Sequence, residues 1–247
     1  MKKYIEDSSQ NKNRPIGRFL FTNIYLFVYN KIMQIESVGI LISIQPFSER
    51  DAIARIFTRD NGVLVGLMRG AIAAQKNKPL VGQVGSVSWN ARLDSQLGVF
   101  HWESEKNLAA PLMMNNDLLK IMNSVFALIY TLIPERESYE RLYERTIDLL
   151  QNIAVSQSPF DNYLNWEIDL LRDLGYALDL TKCSGCSKTS DLIYLSPKTG
   201  RAVCADCGEP YRDKLYKLPL NLAVTKRFIT GICDVQNVDV PVARKIF

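Results

Sequence analysis

The sequence predicts an α+β, multidomain chain: a small N-terminal β-barrel followed by an all-helical domain that carries a cysteine-clamped ribbon. Three observations predict it. Five short β-rich segments recur between residues 38 and 103, with glycines where strands must bend. From about residue 115 the apolar period changes from two to three and four. Four cysteines then fall into two C-x2-C pairs. With 247 residues and 47% hydrophobic side chains the chain can bury a core, while 13 Gly and 10 Pro exclude a collagen-like repeat. The domains expected are an extension at 1–32, the barrel at 33–110 and the helical domain at 111–247, with the ribbon at 182–208.

In the extension, Lys2, Lys3, Lys12, Arg14 and Arg18 precede an apolar run from Phe19 to Tyr29. That run is shorter than the roughly 20 residues a bilayer span needs, and Asn30 and Lys31 stand where a small-residue cleavage site would be. It reads as an unstructured addition or as sequence upstream of a functional start at Met33, with a membrane or targeting role as the alternative. Strands are then expected at Val38–Gln45, Ala54–Thr58 and Gly62–Met68, the last after the turn signal Asp60-Asn61-Gly62. A loop from Ala71 to Pro79 follows, then strands at Gly82–Ala91 and Gly98–Glu103 around a turn at Asp94–Gln96.

Three helices come next. The first spans 115–134, with Leu118, Met122, Val125, Phe126, Ile129 and Ile133 on one face and Pro134 to stop it. The second spans 138–153. The third begins at Ser158-Pro159 and runs to Gly175, a suitable C′ residue. These apolar stripes are core, and the acidic residues between them a solvated face.

Cys183-Ser-Gly-Cys186 and Cys204-Ala-Asp-Cys207 form C-x2-C-x17-C-x2-C, spacing suited to one structural zinc ion. Backbone N–H groups in each tight turn point at the sulfurs and favour thiolates, and four thiolates leave no open position for catalysis. Two disulfides or a redox pair are the alternatives. Between the pairs, Leu192–Leu195 and Arg201–Val203 flank Ser196-Pro-Lys-Thr-Gly200 as a hairpin. Cys233 is left as a buried small hydrophobe.

The formal charge of +4 lies wholly in residues 1–32, where six basic side chains meet two acidic ones. Bulk charge is therefore no argument for a polyanion. Local charge is more informative, because Arg50 to Arg92 holds seven basic residues against two acidic ones. A lone histidine, His101, removes multi-histidine metal sites, and no Walker loop or nucleophile–base pair is present, so no catalytic activity is expected.

At Phe57-Thr-Arg-Asp-Asn-Gly62, Gly66-Leu-Met-Arg-Gly70, Leu170-Leu-Arg-Asp-Leu-Gly-Tyr176 and Leu195-Ser-Pro-Lys-Thr-Gly-Arg-Ala-Val-Cys204 the chain resembles the RecO recombination mediators of bacterial DNA repair. The resemblance runs from about Met33 to Pro219. It implies an OB-fold barrel before the zinc-bearing helical domain, and a cytoplasmic protein that joins the nucleoid during repair, without stable membrane association. It also implies binding of single- and double-stranded DNA, annealing of complementary strands, and recombinase loading with RecR and single-stranded DNA-binding protein. Two departures stand out: residues 1–32 precede the family pattern, and the sequence stops at Phe247 where relatives continue a helix.

An OB barrel binds extended nucleic acid with cations along the phosphates and aromatic faces under the bases. Arg50, Arg55, Arg59, Arg69, Lys76, Lys78 and Arg92 supply the charge, with Arg69, Lys76 and Lys78 favoured by their place at a strand end and in a loop. Trp89, Phe100 and Trp102 are the aromatic candidates, at least two of them expected in the barrel core. Around the cysteines, Lys182, Lys188, Lys198, Arg201, Arg212, Lys214 and Lys217 form a second basic set. The competing function is a protein-interaction adaptor whose barrel docks a peptide without direct DNA binding.

Overall fold

In a computed structural model of the protein, which describes residues 33–247 other than 75, 77 and 93–96, five strands close into a barrel. Residues 1–32 and the expected turn at 94–96 lie outside the described residues. The strands are β1 (Met33–Pro46), β2 (Ala52–Thr58), β3 (Gly62–Met68), β4 (Gln83–Ala91) and β5 (Gly98–Asn107), in the order β1-β2-β3-β5-β4. All pairs are antiparallel except β3 with β5. That order is the Greek-key barrel of the OB fold.

β1 is much longer than its apolar stretch suggests because it serves both edges of the ring. Its first half pairs with β4, from Met33 opposite Ala91 to Ile40 opposite Val84; its second half pairs with β2 as far as Pro46 opposite Ala52. Accordingly Met33–Val38 alternates in burial, whereas Gly39–Ile42 is buried throughout. Strand alternation explains the change. Leu41, Ile56 and Leu64 point into the barrel with Trp89 and Phe100, while Ile40, Phe57 and Val63 point outward into a second core shared with the helices. Trp89 is 1% exposed, and its indole N–H donates to the Val65 carbonyl at 2.9 Å. Gly98 has to be glycine, since a Cβ there would lie 2.1 Å from that indole.

The helical part is built on α1 (Asn116–Leu132), α2 (Glu140–Asn152) and α3 (Pro159–Asp173). Asn115 caps α1 by accepting from the N–H groups of Asp117 and Leu118, and Ile133, extended before Pro134, ends it. α2 starts two residues later than the expected 138. After α3, Gly175 at φ +88° lets its own N–H reach the Arg172 carbonyl and the Tyr176 N–H reach that of Leu171, a Schellman closure. Burial of Phe57 against Tyr143, ring centroids 5.7 Å apart, joins barrel to helices; a fully buried side chain of this size contributes about 1.5–3 kcal/mol.

The ribbon is a three-stranded sheet, β6 (Leu192–Leu195) between β7 (Ala202–Cys204) and β8 (Tyr216–Lys217). The hairpin β6–β7 matches the expected one, whereas β8 was not foreseen. A single turn, α4 (Ala205–Gly208), follows β7. Two further helices, α5 (Leu222–Gln236) and α6 (Val242–Lys245), complete the described chain. They are fastened by a buried ion pair between Glu167 of α3 and Arg244 of α6, both 0% exposed. Arg244 also donates to the Leu222 carbonyl at 2.7 Å, and Thr225 donates to Glu167 at 2.6 Å.

Candidate metal centre and nucleic-acid interface

The four ribbon cysteines are gathered from two turns. In the first, the Cys183 N–H donates to the Lys188 carbonyl at 2.7 Å and Ser187 adopts φ +63°, which curls residues 183–188 around the sulfurs. In the second, Cys204 ends β7 and Cys207 sits in α4. One close approach demands glycine, since a Cβ on Gly208 would strike the Tyr194 ring at 2.3 Å, and Gly185 sits tightly as well, where a Cβ would lie 3.2 Å from the Cys207 sulfur.

All four Sγ atoms lie within 4.8 Å of one another, and those of Cys186 and Cys204 are 3.6 Å apart. A tetrahedron with about 2.3 Å metal–sulfur bonds has edges of about 3.8 Å. The donor set therefore fits one metal ion. It does not fit the disulfide alternative, since the cysteines are free. Backbone N–H groups, that of Cys204 above all and then those of Cys186 and Gly185, hold the Cys183 thiol down to about 6. Hydrogen bonding among the sulfurs, first with Cys186 and then with Cys204, pushes Cys207 up to about 12.

The barrel carries a second candidate site. β3 ends at Met68 opposite Phe100, but β5 runs on, so Arg69–Ala71, Ala74 and Pro79 face His101–Ser104 across a cleft of about 530 Å³. Trp102 lines it, and the indole N–H of Trp102 is buried with no acceptor among the described residues. A neighbouring cleft of about 610 Å³ lies between Ser48–Asp51 and Arg69-Gly70, so Arg69 borders both. The two loops are tied together: the Gly70 N–H donates to Asp51 at 2.8 Å, and the Ile72 N–H to the Arg50 carbonyl at 3.0 Å.

The seven cations expected on the barrel divide into two groups. Arg50, Arg69, Lys76, Lys78 and Arg92 are exposed, and none has a carboxylate partner among the described residues. Arg50 and Arg92 lie in the β1–β2 and β4–β5 loops, which flank the binding face of an OB barrel. Arg55 and Arg59 are committed elsewhere. Arg55 reaches Glu135 at 3.2 Å and lies over the Tyr130 ring, while Arg59 reaches Glu140 at 2.8 Å and Glu144 at 3.3 Å. These pairs brace the barrel against the helices. Glu140, followed by Glu144, also raises the Arg59 pKa.

Trp89 and Phe100 belong to the barrel core, which leaves Trp102 at the cleft. Phe47, which sequence reasoning left out of the aromatic candidates, is 62% exposed in the β1–β2 loop that also carries Arg50. Its signal was a phenylalanine set among Pro46, Ser48 and Glu49, where a buried partner is not expected. Arg141 and Arg145 of α2 pair with Asp169 of α3 at 3.0 and 3.5 Å, and not with Glu140 or Glu144 of their own helix. Those glutamates are turned toward Arg59. In the ribbon's basic set, Lys188 pairs with Asp206 and Arg212 with Glu209.

Residues 33–103 match the family model described as Recombination protein O N terminal, and residues 117–241 the one described as Recombination protein O C terminal. The chain is 37% identical over 187 residues to the DNA repair protein RecO of Rickettsia bellii (strain OSU 85-389), covering 76% of this chain and 77% of that protein. It is 36% identical over 189 residues to the DNA repair protein RecO of Rickettsia typhi, covering 76% and 79%. Against that of Rickettsia rickettsii (strain Iowa) it is 35% identical over 187 residues, covering 76% and 78%. Among the described residues no helix is long and apolar enough to cross a membrane.

Proposed function

The chain belongs to the RecO family of DNA repair proteins, and from that premise we propose that it is a non-enzymatic mediator that binds single- and double-stranded DNA at the barrel rim and anneals complementary strands. The observation that carries this reading is the pair of exposed arginines Arg50 and Arg69 on two clamped loops beside the exposed Phe47 ring. Unpaired guanidinium groups attract phosphates, and an exposed aromatic face offers a base somewhere to stack. Lys76 and Lys78 extend the track along the loop.

Contacts made mainly to phosphates hold strands while leaving base edges free to pair, and neutralising both backbones removes the repulsion between them. No covalent bond changes, so no nucleophile is required. The four cysteines would hold one zinc ion, and with four thiolate donors it would serve to keep the ribbon folded and not to activate water. The partners that go with this reading are RecR and single-stranded DNA-binding protein, met at the nucleoid in the cytoplasm. Mixing complementary oligonucleotides with the protein should accelerate duplex formation, and combined Arg69→Ala, Lys76→Ala and Lys78→Ala should abolish the acceleration. Full annealing by that triple variant would remove the barrel rim from the function.

A further inference from the structure

A cleft of about 350 Å³ lies between the ribbon and α5, away from both the cysteines and the barrel rim. Tyr176, just after α3, lines it together with Lys198 of the β6–β7 turn, Tyr216 of β8, and Arg227 and Phe228 of α5. Gly231 lines it too, from the interior of α5. Glycine inside a helix is destabilising relative to alanine, so it calls for a reason. Neither backbone nor packing provides one: Gly231 has no positive φ, and a Cβ there would meet nothing within 4 Å. Gly231 faces open space at the cleft, which a long side chain there would fill.

The chemistry of the walls restricts the occupant. No carboxylate lines the cleft, and among the described residues neither Lys198 nor Arg227 has a carboxylate partner, unlike Arg59, Arg141, Arg172 and Lys188. The Arg227 guanidinium lies over the Tyr216 ring, 5.0 Å from its centroid, and Phe228 meets the same ring edge-on at 5.8 Å. Tyr176, 41% exposed, is a second aromatic surface. Two unpaired cations beside flat aromatic faces suit a ligand that is planar at one end and anionic at the other.

We propose that this cleft takes one nucleotide of a single strand, its base against Tyr216 and its phosphate beside Arg227 and Lys198, as a second anchor remote from the barrel. The proposal rests on the DNA-binding reading given above. An acidic peptide would satisfy the cations, but the exposed Tyr176 ring offers a flat face that a base covers and a carboxylate does not.

The test uses the full chain and a thymidine oligonucleotide carrying a single iododeoxyuridine, irradiated and mapped by peptide mass. Crosslinks should appear at Tyr176, Tyr216 or Phe228 as well as within the barrel. Gly231→Leu, which fills the cleft, should remove the former, keep the latter, and weaken binding about fivefold or more, the change one stacked base carries. Gly231→Ala should bind as the parent does, and Arg227→Ala, an exposed change that spares the helix, should reproduce the loss. If the parent protein binds no oligonucleotide, the DNA reading itself fails. If it binds but crosslinks only within the barrel, or if Arg227→Ala and Gly231→Leu keep full affinity, the cleft proposal alone is overturned. Capture of a labelled Glu-Glu-Glu-Phe peptide by the parent but not by Gly231→Leu, without crosslinks in the cleft, would likewise overturn it in favour of a peptide site.

Discussion

Replacing Arg50 and Arg69 together by alanine should flatten the salt dependence of single-strand binding, whereas replacing Arg55 and Arg59 together should leave it unchanged. The four residues share one barrel and one charge type, so only their surroundings separate them. Arg55 and Arg59 already face Glu135, Glu140 and Glu144, while Arg50 and Arg69 have no carboxylate partner among the described residues. Each single-strand phosphate neutralised contributes about 0.7 to the slope of log affinity against log salt, so losing two unpaired cations lowers it by about 1.4. With Lys76 and Lys78 the four exposed cations of these two loops correspond to a slope of about −2.8, or about a 50-fold loss of affinity over a fourfold rise in salt. Fluorescence anisotropy of a labelled oligonucleotide across a salt series measures it. The Arg59 bridges are half exposed and contribute little, whereas Arg55 is 25% exposed over the Tyr130 ring, so the far-ultraviolet circular dichroism of that double variant is matched to the parent before the slopes are compared. An equal fall in slope for both double variants would refute the division of the cations.

Breaking the buried ion pair with Arg244→Met should cost about 3–5 kcal/mol in urea denaturation, because Glu167 is left buried without its partner, and adding Glu167→Leu should recover most of it; a loss below about 1 kcal/mol for the single change would contradict the pairing. Protein purified without chelator should contain about one zinc per chain, and Cys204→Ser should release it together with a fall in melting temperature. Metal-free protein with an unchanged melt would leave the cluster without an ion to hold. Gly98→Ala should drive a methyl into the Trp89 indole and destabilise the barrel by about 1–3 kcal/mol, read by unfolding monitored through tryptophan emission; an unaltered transition would mean the strand can shift.

What the sequence made legible follows from how local each signal is. The bounds of β3 were readable because Asn61-Gly62 marks its start and the apolar run ends at Met68, and α1 because Asn115 and Pro134 delimit a continuous stripe. The cysteine spacing implied a common centre, and the sulfurs do converge. Long-range pairing had no such signal. Nothing near Arg55 or Arg59 announces partners about eighty residues away, and the pair of Glu167 with Arg244 spans 77 positions. α5 escaped for a different reason: Val224, Ile229, Ile232 and Cys233 are spaced as a helix face, but Gly231 and three threonine or lysine positions between them weaken the pattern. Phe47 shows the converse, an apolar residue that the fold leaves uncovered.

The double duty of β1 has a practical corollary for rearranging the gene. Since this one ribbon of backbone stitches the ring shut on both flanks, with a bulge between Leu41 and Ser43 absorbing the mismatch, an extra residue inserted near that bulge would swap inward and outward side chains for the remainder of the strand. New termini or fused cargo should therefore be kept out of this seam.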